Sequence, residues 1–323
     1  MSVFTTLSPE QVADLLDRFQ IGRLVSLEGI PQGVVNTNYR LTTDRDRYIL
    51  TLIEDSEQGE ALDFATRLMD FLARRRIPVP QPIRDRNQGI IQEVLGHQAI
   101  IVTHLPGESP IRPTPGQCAE TGDMLARLHR AGEEFPLYRE NPMGPGRLAA
   151  LLERLTPLLS KRQPEAMSLC RESLDALAMG GLFTSALPTG VCHADLFPDN
   201  TLFQGERLTG IIDFHFACQA PLVWDLAIAI NAWGFTPDGR PDRPCLEALW
   251  QAYRESRPPG REEMRLLPQT LGAAALRFAL TRLVASYFPR PGEQVTRKPP
   301  EEYLERLRFH KEVGLDLGTG QFP

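Results

Sequence analysis

The chain has 323 residues, 42% of them hydrophobic and 24% charged, which is the composition of an ordinary soluble globular protein. Its formal net charge of -6 gives no basis for binding nucleic acid or an anionic membrane surface. The five scattered cysteines include no C-x-x-C pair and argue against a disulfide framework or a zinc site. Neither a signal peptide nor a stretch of roughly 20 apolar residues is apparent. We therefore expect a cytoplasmic protein without nucleic-acid or membrane partners.

The first hundred residues predict a small sheet with one or two helices. Ser8 as N-cap and Pro9 at the first helical position indicate an initial helix. Alternating and turn-bounded apolar runs predict strands, and one long amphipathic run predicts a second helix. The strands are expected over 23–30, 39–42, 48–53, 90–94 and 98–103, and the helix over 57–76.

Four prolines and a glycine between residues 106 and 115 predict a hinge. The chain beyond the hinge is mostly helical, with short strands around its centre. Helices are expected from 114 and over 147–160, 164–179, 222–233, 245–254, 262–288 and 300–312, and strands over 191–192, 201–203 and 208–214. We therefore assign residues 1–105 to an N-terminal lobe and residues 106–323 to a helical C-terminal lobe.

The central motif is H-x-D-x-x-x-x-N, formed by His193, Asp195 and Asn200, and Asp213 follows an apolar pair downstream. Phosphoryl transfer from ATP needs a carboxylate that orients a hydroxyl, and oxygen ligands that hold Mg²⁺ against the phosphates. Asp195 is the candidate proton acceptor, and His193 is expected to hold the loop in place. Asn200 and Asp213 are the candidate Mg²⁺ ligands. A turn whose Asp and Asn only cap backbone groups is the alternative.

This spacing matches the catalytic loop of protein-kinase-like enzymes. Together with the β-rich first third, the hinge and the helical remainder, it predicts an α+β protein with a protein-kinase-like bilobal fold. The N-lobe, residues 1–105, is then a small antiparallel sheet that binds nucleotide. The C-lobe, residues 106–323, is mostly helical and carries the catalytic loop and the substrate site, and nucleotide lies between the two lobes.

Four further residues near the motif or the hinge have assigned roles. Asp199 serves either the metal or the turn. Asp225 begins a helix and is expected to accept backbone donors from the catalytic loop. His129 is interpreted as a packing histidine on a helix. His104 ends a strand before the hinge, where it is a candidate contact for the adenine edge.

The predicted nucleotide site departs from the usual kinase pattern. Asn36, Thr37 and Asn38 lie in a turn between two strands and are candidate phosphate contacts. Thr51 occupies the strand position where kinases usually place a phosphate-binding lysine. No lysine precedes Lys161, so a shifted register cannot supply one.

Several runs together make the chain resemble the homoserine kinases of the aminoglycoside-phosphotransferase-like superfamily, in which threonine also takes the lysine position. These runs are 36–39, 48–52, 193–200, 212–218, 224–233, 275–283 and 289–292. The resemblance implies ATP- and Mg²⁺-dependent phosphorylation of the L-homoserine side-chain hydroxyl, for threonine biosynthesis. The expected partners are homoserine and ATP, and the enzyme is expected to be a monomer or homodimer.

The implied substrate carries both a carboxylate and an ammonium group. Arg277 and Arg282 are candidates for the carboxylate, although they lie about 140° apart around a helix. Either is alternatively a structural ion pair. His215, Asn231 and Trp233 are candidates for the rest of the pocket, along with Asp195. Two other functions stay open: a related kinase acting on choline, a sugar or an aminoglycoside, and a nucleotide-binding pseudokinase.

Overall fold

The computed structural model of the chain describes residues 5–30, 36–54, 59–183, 186–289 and 298–318. The chain divides between Pro106 and Gly107 into two compact units. The first unit contains a five-stranded antiparallel sheet and the second is mostly helical, so the predicted α+β class is confirmed. Among the described residues, no helix is both long enough and apolar enough to span a membrane.

The sheet of the first unit has the strand order β1-β2-β3-β5-β4, with antiparallel neighbours throughout. Its strands are β1 (Leu24–Ile30), β2 (Thr37–Thr43), β3 (Arg47–Ile53), β4 (Gln92–Val94) and β5 (His97–Thr103). Alternate residues such as Leu41, Leu50 and Ile101 face one side, because side chains alternate along a strand. They pack with helix α1 (Pro9–Leu16) into the core of this unit, and the other face carries buried apolar residues such as Ile100 and Val102 beside polar ones such as Thr51.

Helix α1 begins where the sequence predicts. The Ser8 hydroxyl accepts the backbone N–H of Gln11 at 3.3 Å, and the Gln11 side chain accepts the backbone N–H of Ser8 at 2.8 Å. Helix α2 (Gly59–Arg74) follows the sheet hairpin and buries its apolar stripe. The part of the predicted helix over 57–58 lies outside the described residues.

The second unit is built from seven helices among its described residues, with two small sheets inserted between them. The helices are α3 (Pro115–Gly132), α4 (Pro145–Arg162), α5 (Pro164–Met179), α6 (Leu222–Trp233), α7 (Arg243–Ser256), α8 (Arg261–Tyr287) and α9 (Glu301–Glu312). The two-stranded sheets pair β6 (Thr189–Cys192) with β9 (Cys218–Pro221), and β7 (Thr201–Gln204) with β8 (Arg207–Ile211).

Helix α6 is the centre of this unit, because it is apolar on every side and is buried almost along its whole length. Helices α3 and α7 approach closely at Gly122, where an added Cβ would lie only 2.2 Å from the Leu249 carbonyl oxygen. This central packing gives the loops around β6 and β8 a rigid base.

The predicted strand over 208–214 was too long. Strand β8 ends at Ile211, since Asp213 adopts a left-handed conformation with φ of 63° and ψ of 70°. Strand β9, which pairs with β6, was missed because a four-residue strand has too little alternation to be read from sequence. The turn at Asp213 brings that residue back toward the loop after β6.

Candidate active site

The loop that carries the H-x-D-x-x-x-x-N motif runs from His193 to Asn200, between β6 and β7. Ala194 has a φ of 61°, which is uncommon for any residue other than glycine. The Asp225 carboxylate accepts the backbone N–H groups of His193 and Ala194, each at 2.7 Å. The predicted anchoring role of Asp225 is therefore confirmed. Its two bonds hold the strained backbone immediately before Asp195.

His193 links this loop to the end of β8. Its Nε2 lies 2.9 Å from the Ile212 carbonyl oxygen, and its Nδ1 lies 3.2 Å from the backbone nitrogen of Asp195. A neutral imidazole with its proton on Nε2 satisfies both contacts, since Nδ1 then accepts. The ring also packs against Phe214 with centroids 4.7 Å apart. The hydrogen bonding predicted for His193 is present in this form.

Asp195 lies in a pocket where only 18% of its side chain is exposed. Its Oδ2 accepts a hydrogen bond from Asn200 Nδ2 at 3.0 Å, and its Oδ1 lies 3.8 Å from Arg277 Nη2. Burial raises the pKa of Asp195 to about 6, with the Arg277 charge opposing the rise and the Asp213 charge adding to it. This carboxylate is consequently ionised at neutral pH, yet it is a stronger proton acceptor than an ordinary aspartate.

Asn200 and Asp213 present oxygen atoms beside Asp195. The Asn200 amide N–H₂ donates to the Asp195 carbonyl at 2.8 Å and to its carboxylate. Within the described chain its amide oxygen has no hydrogen-bond partner. Among the residues that the structure describes, the exposed Asp213 carboxylate accepts only the weak bond from the His215 backbone N–H at 3.4 Å. A neutral amide oxygen and a carboxylate oxygen are hard donors, the type that Mg²⁺ selects.

The two predicted substrate arginines on α8 have different surroundings. Arg277 is 1% exposed, and its Nη1 donates to the Ala194 carbonyl while its Nη2 faces Asp195. Helix α8 therefore packs beneath the catalytic loop, as predicted. Arg282 is 10% exposed and forms an ion pair with Glu302. It therefore takes the structural role that was the alternative to substrate binding. Both guanidinium groups are engaged by the protein in this structure.

Asn231 and Trp233 lie behind the loop, on helix α6. Asn231 is fully buried and donates to the carbonyls of Ala227 and Leu271, at 2.9 and 3.0 Å. The Trp233 indole N–H donates to the Leu196 carbonyl at 2.9 Å. The Trp233 side chain therefore supports the loop from inside, whereas Asn231 joins α6 to α8. Neither side chain faces solvent.

His215 follows Asp213 and is half-buried beside the loop. Its carbonyl oxygen accepts a hydrogen bond from Arg139 at 2.8 Å, and its ring packs edge-on against Phe216. Among the three residues predicted from proximity to the motifs, only His215 retains partial exposure near Asp213.

Behind Asp225 lies a series of buried, hydrogen-bonded side chains, of which only His129 was predicted to be a packing residue. His129 Nε2 lies 3.2 Å from Asp225 Oδ2, and its Nδ1 lies 2.9 Å from the Tyr253 hydroxyl. Arg257 Nη1 donates to that hydroxyl at 3.0 Å, and its Nη2 pairs with Glu263 at 3.0 Å. This series joins α3, α7 and α8 to the catalytic loop. His129 is thus the structural histidine that its helical context indicated.

The fold brings His129, Cys192 and Asp225 together, with their potential ligand atoms within 4.8 Å of one another. Their sequence spacing gave no sign of this cluster. Burial raises the pKa of the Cys192 thiol well above its ordinary range, so the sulfur stays protonated. The Asp225 oxygens already accept two backbone N–H groups. We therefore interpret the cluster as part of the structural support of the loop.

In the first unit, two of the predicted phosphate contacts, Asn38 and Thr51, meet on the sheet face opposite α1. Thr37 is fully buried on the α1 side, where its hydroxyl also accepts the Thr5 backbone N–H at 3.2 Å. Thr51 and Asn38 are cross-strand partners, and the Thr51 hydroxyl donates to Asn38 Oδ1 at 2.7 Å. The Thr37 hydroxyl donates to Glu54 Oε1 at 2.6 Å, and the Glu54 backbone N–H donates to Asn36 Oδ1 at 3.4 Å. Sequence reasoning missed Glu54, which joins the two strands at this point.

The remaining nucleotide candidates are His104 and the predicted turn before β2. His104 follows β5, where its backbone N–H donates to the Arg47 carbonyl at 3.2 Å. Partial burial lowers the pKa of His104, and nearby arginine charges add to this, so its imidazole is neutral at physiological pH. The predicted turn before β2 lies outside the described residues up to residue 35, and its members Thr37 and Asn38 belong to strand β2.

Comparison with known proteins adds the family context. Residues 26–267 match the model of the phosphotransferase enzyme family. A homoserine kinase of Rhodopseudomonas palustris (strain BisB18) is 42% identical over 313 residues, covering 97% of this chain and 95% of that protein. A homoserine kinase of Xanthobacter autotrophicus (strain ATCC BAA-1158 / Py2) is 40% identical over 318 residues and 97% of each chain. A spectinomycin phosphotransferase crystallised with ADP and spectinomycin superposes with a TM-score of 0.66 at 14% identity, covering 94% of each chain.

Proposed function

Because the chain belongs to the phosphotransferase enzyme family, we infer that it transfers a phosphoryl group from ATP to the side-chain hydroxyl of L-homoserine. The product is O-phospho-L-homoserine, which places the enzyme in threonine biosynthesis. The observation that carries this conclusion is about 40% identity to several homoserine kinases over nearly the whole chain. Such a biosynthetic role fits the cytoplasmic location that the sequence predicts.

Asp195 acts as the group that orients the homoserine hydroxyl and accepts its proton. The raised pKa of about 6 supports this role, since the carboxylate is ionised at neutral pH and close to proton-transfer competence. The backbone next to Asp195 is fixed by three side chains. Asp225 accepts the N–H groups of His193 and Ala194, Arg277 donates to the Ala194 carbonyl, and His193 contacts the Asp195 N–H. This fixation supplies the pre-organisation that phosphoryl transfer requires.

Mg²⁺ would be held by the Asn200 amide oxygen and the Asp213 carboxylate. Bound there, the ion would neutralise charge on the phosphate oxygens. The Asn200 amide oxygen, which accepts no hydrogen bond from the described residues, supports this assignment, because both N–H groups on the same amide face Asp195. The left-handed turn at Asp213 keeps its carboxylate exposed for the second contact. Two protein ligands suffice for Mg²⁺, which usually retains several water molecules.

ATP is proposed to contact Asn36, Asn38 and Thr51 of the first unit, with the buried Thr37 supporting them through its bond to Glu54. Hydroxyl and amide groups can donate to phosphate oxygens in place of the absent lysine. His104, neutral and half-buried, is proposed to contact the adenine edge. The ADP complex of the spectinomycin phosphotransferase supports nucleotide use within this fold.

The acceptor side of the site is proposed to include His215 directly, with Arg277 and Trp233 supporting the loop through their bonds to Ala194 and Leu196. Asn231 is proposed to act indirectly, through its bonds to Leu271 of α8 and His310 of α9. Arg282 is proposed to support the acceptor side indirectly, through its contacts with Glu302 and the Pro299 carbonyl. The proposed partners are homoserine and ATP, with no nucleic acid or membrane, in a monomer or homodimer.

The test is Mg²⁺-dependent ADP release from ATP with L-homoserine, run beside choline, L-serine and an aminoglycoside. Selective turnover of homoserine is expected. Preferential turnover of another acceptor would support phosphoryl transfer but would refute homoserine as the substrate. ATP binding without turnover of any acceptor would favour a pseudokinase.

A further inference from the structure

The catalytic loop carries an ion pair that the chemistry above leaves unused. Asp199 lies four residues after Asp195, and its Oδ2 lies 2.5 Å from Lys298 Nζ. The Lys298 ammonium also lies 5.0 Å from the centroid of the Phe197 ring. Two side chains of one loop therefore position this ammonium, although Lys298 is nearly a hundred residues away in sequence.

Both segments that carry the pair are anchored. The Asp199 carbonyl accepts a hydrogen bond from the Ser109 hydroxyl at 3.3 Å. The Pro299 carbonyl, next to Lys298, accepts one from Arg282 Nη1 at 3.1 Å. Helix α8 thus holds the position of Lys298 through Arg282, which gives that arginine a role other than direct binding.

Stability does not explain the pair. The Lys298 and Asp199 side chains are 50% and 57% exposed. Surface ion pairs of this kind typically contribute little to folding stability, because water screens them. Lysine is also rare in the chain, at positions 161, 298 and 311 only, while arginine supplies nearly all other positive charge. An accessible ammonium at the catalytic loop is consequently a distinctive feature.

An amino-acid substrate must be recognised through charges of both signs. Homoserine has an α-carboxylate and an α-ammonium separated from its reactive hydroxyl by two methylene groups. A hydroxyl at Asp195 therefore places both charges within a few bonds of the same loop. The Asp199 carboxylate is close enough to Asp195 to contribute to its raised pKa. Arg277 is buried and committed to Ala194, so it offers no exposed cation there.

Building on the proposed function, we propose that Asp199 and Lys298 form a clamp for the zwitterionic end of the acceptor. Asp199 binds the α-ammonium and Lys298 binds the α-carboxylate. Without substrate the two side chains neutralise each other, and the substrate exchanges one ion pair for two. The clamp selects a free amino acid over an amino alcohol or a hydroxy acid.

The experiment compares three acceptors that differ by one charge each. Homoserine has both groups, 3-aminopropan-1-ol lacks the carboxylate, and 4-hydroxybutanoate lacks the ammonium. kcat/KM is measured for each with wild type, Lys298→Met and Asp199→Asn. A charge-assisted contact contributes roughly 1.5–3 kcal/mol, so we expect Lys298→Met to lower kcat/KM for homoserine about tenfold or more. The same variant leaves 3-aminopropan-1-ol within about twofold, because the contact it removes is absent there.

Asp199→Asn gives the reciprocal pattern. It lowers kcat/KM for homoserine to a similar extent and leaves 4-hydroxybutanoate nearly unchanged. The KM for ATP stays at its wild-type value in both variants. The matched control is the exposed pair of Lys311 and Glu172, whose side chains are 48% and 50% exposed and which lies on α9 and α5. Lys311→Met and Glu172→Gln leave all three acceptors unchanged.

The outcomes separate the clamp from the proposed function. If wild type does not phosphorylate homoserine, the proposed function fails before any variant is compared. If it does, equal losses for all three acceptors, or no loss for homoserine, refute the clamp alone. A rise in the KM for ATP with Lys298→Met would instead assign the ammonium to phosphate and also overturn the clamp.

Discussion

Replacing Arg277 with Gln tests how the catalytic loop sets the proton affinity of Asp195. Arg277 Nη2 lies 3.8 Å from Asp195 Oδ1, and both side chains are largely buried, at 1% and 18% exposure. At an effective dielectric constant of about 20, unit charges about 4 Å apart interact by about 4 kcal/mol. One pH unit corresponds to about 1.4 kcal/mol, so the full interaction is worth about 3 pH units. Residual solvent at Asp195 reduces this, and we expect about 1 to 2 pH units.

The sign follows from the charge that is removed. Burial raises the pKa of Asp195 to about 6 and Arg277 opposes that rise, so losing Arg277 raises the pKa further. The active form is the carboxylate, and the acidic limb of kcat/KM should therefore move to higher pH. At pH 6.5 the variant should be slower than wild type by about tenfold from ionisation alone, and this difference should disappear near pH 9.

The assay is a pH profile of kcat/KM for homoserine, at saturating ATP, from pH 5.5 to 9. Arg282→Gln is the matched control, because Arg282 lies on the same helix and is ion-paired away from Asp195. Both variants should lower the melting temperature, but only Arg277→Gln should shift the acidic limb of the kcat/KM profile to higher pH. A constant ratio of variant to wild-type activity across the pH range would refute the electrostatic role of Arg277.

Three further results are expected. Thr51→Val removes the hydroxyl that donates to Asn38, and it should raise the KM for ATP up to about tenfold with kcat little changed. An unaltered KM for ATP would show that Thr51 does not bind the nucleotide. Tyr253→Phe leaves His129 Nδ1 unpaired in the core and should cost about 1–3 kcal/mol of unfolding free energy, measured by urea denaturation; an unchanged midpoint would contradict the buried series of hydrogen bonds. Burial lowers the pKa of His310 to about 3, so its contribution to stability is complete above pH 6.5 and is lost as the pH falls below that value. Between pH 7.5 and 5, wild type should lose about 2 kcal/mol more than His310→Gln, and equal losses would show that His310 titrates normally.

Much of the fold was predictable because its signals are local. The capping box at Ser8 marked a helix start, and alternation of apolar residues marked the strands of the first unit. The long apolar run of α6 indicated a buried helix. The early end of β8 was not predictable, since it depends on the left-handed turn at Asp213, and the four residues of β9 show too little alternation to predict a strand.

Residues of the motif were predictable for a similar reason. His193, Asp195, Asn200 and Asp213 lie close in sequence, and their chemistry is recognisable from their spacing. Asp225 was also inferred correctly, since a buried Asp at a helix start is expected to accept backbone donors.

Long-range partners were not predictable from one sequence. Nothing in the helix that carries Tyr253 signals its contact with His129, 124 positions away. Arg277 and Arg282 are equivalent in sequence, and only the packing of α8 separates the residue at the loop from the one paired with Glu302. Lys298 likewise shows its significance only when the fold brings it to Asp199.

The most direct test of the central claim is product analysis after incubation of the protein with ATP, Mg²⁺ and L-homoserine. Mass spectrometry and ³¹P NMR should show O-phospho-L-homoserine and ADP in equal amounts, and Asp195→Ala should form neither while still binding nucleotide. ADP without phosphohomoserine, or phosphohomoserine formed at the wild-type rate by Asp195→Ala, would contradict the proposed function or its catalytic residue.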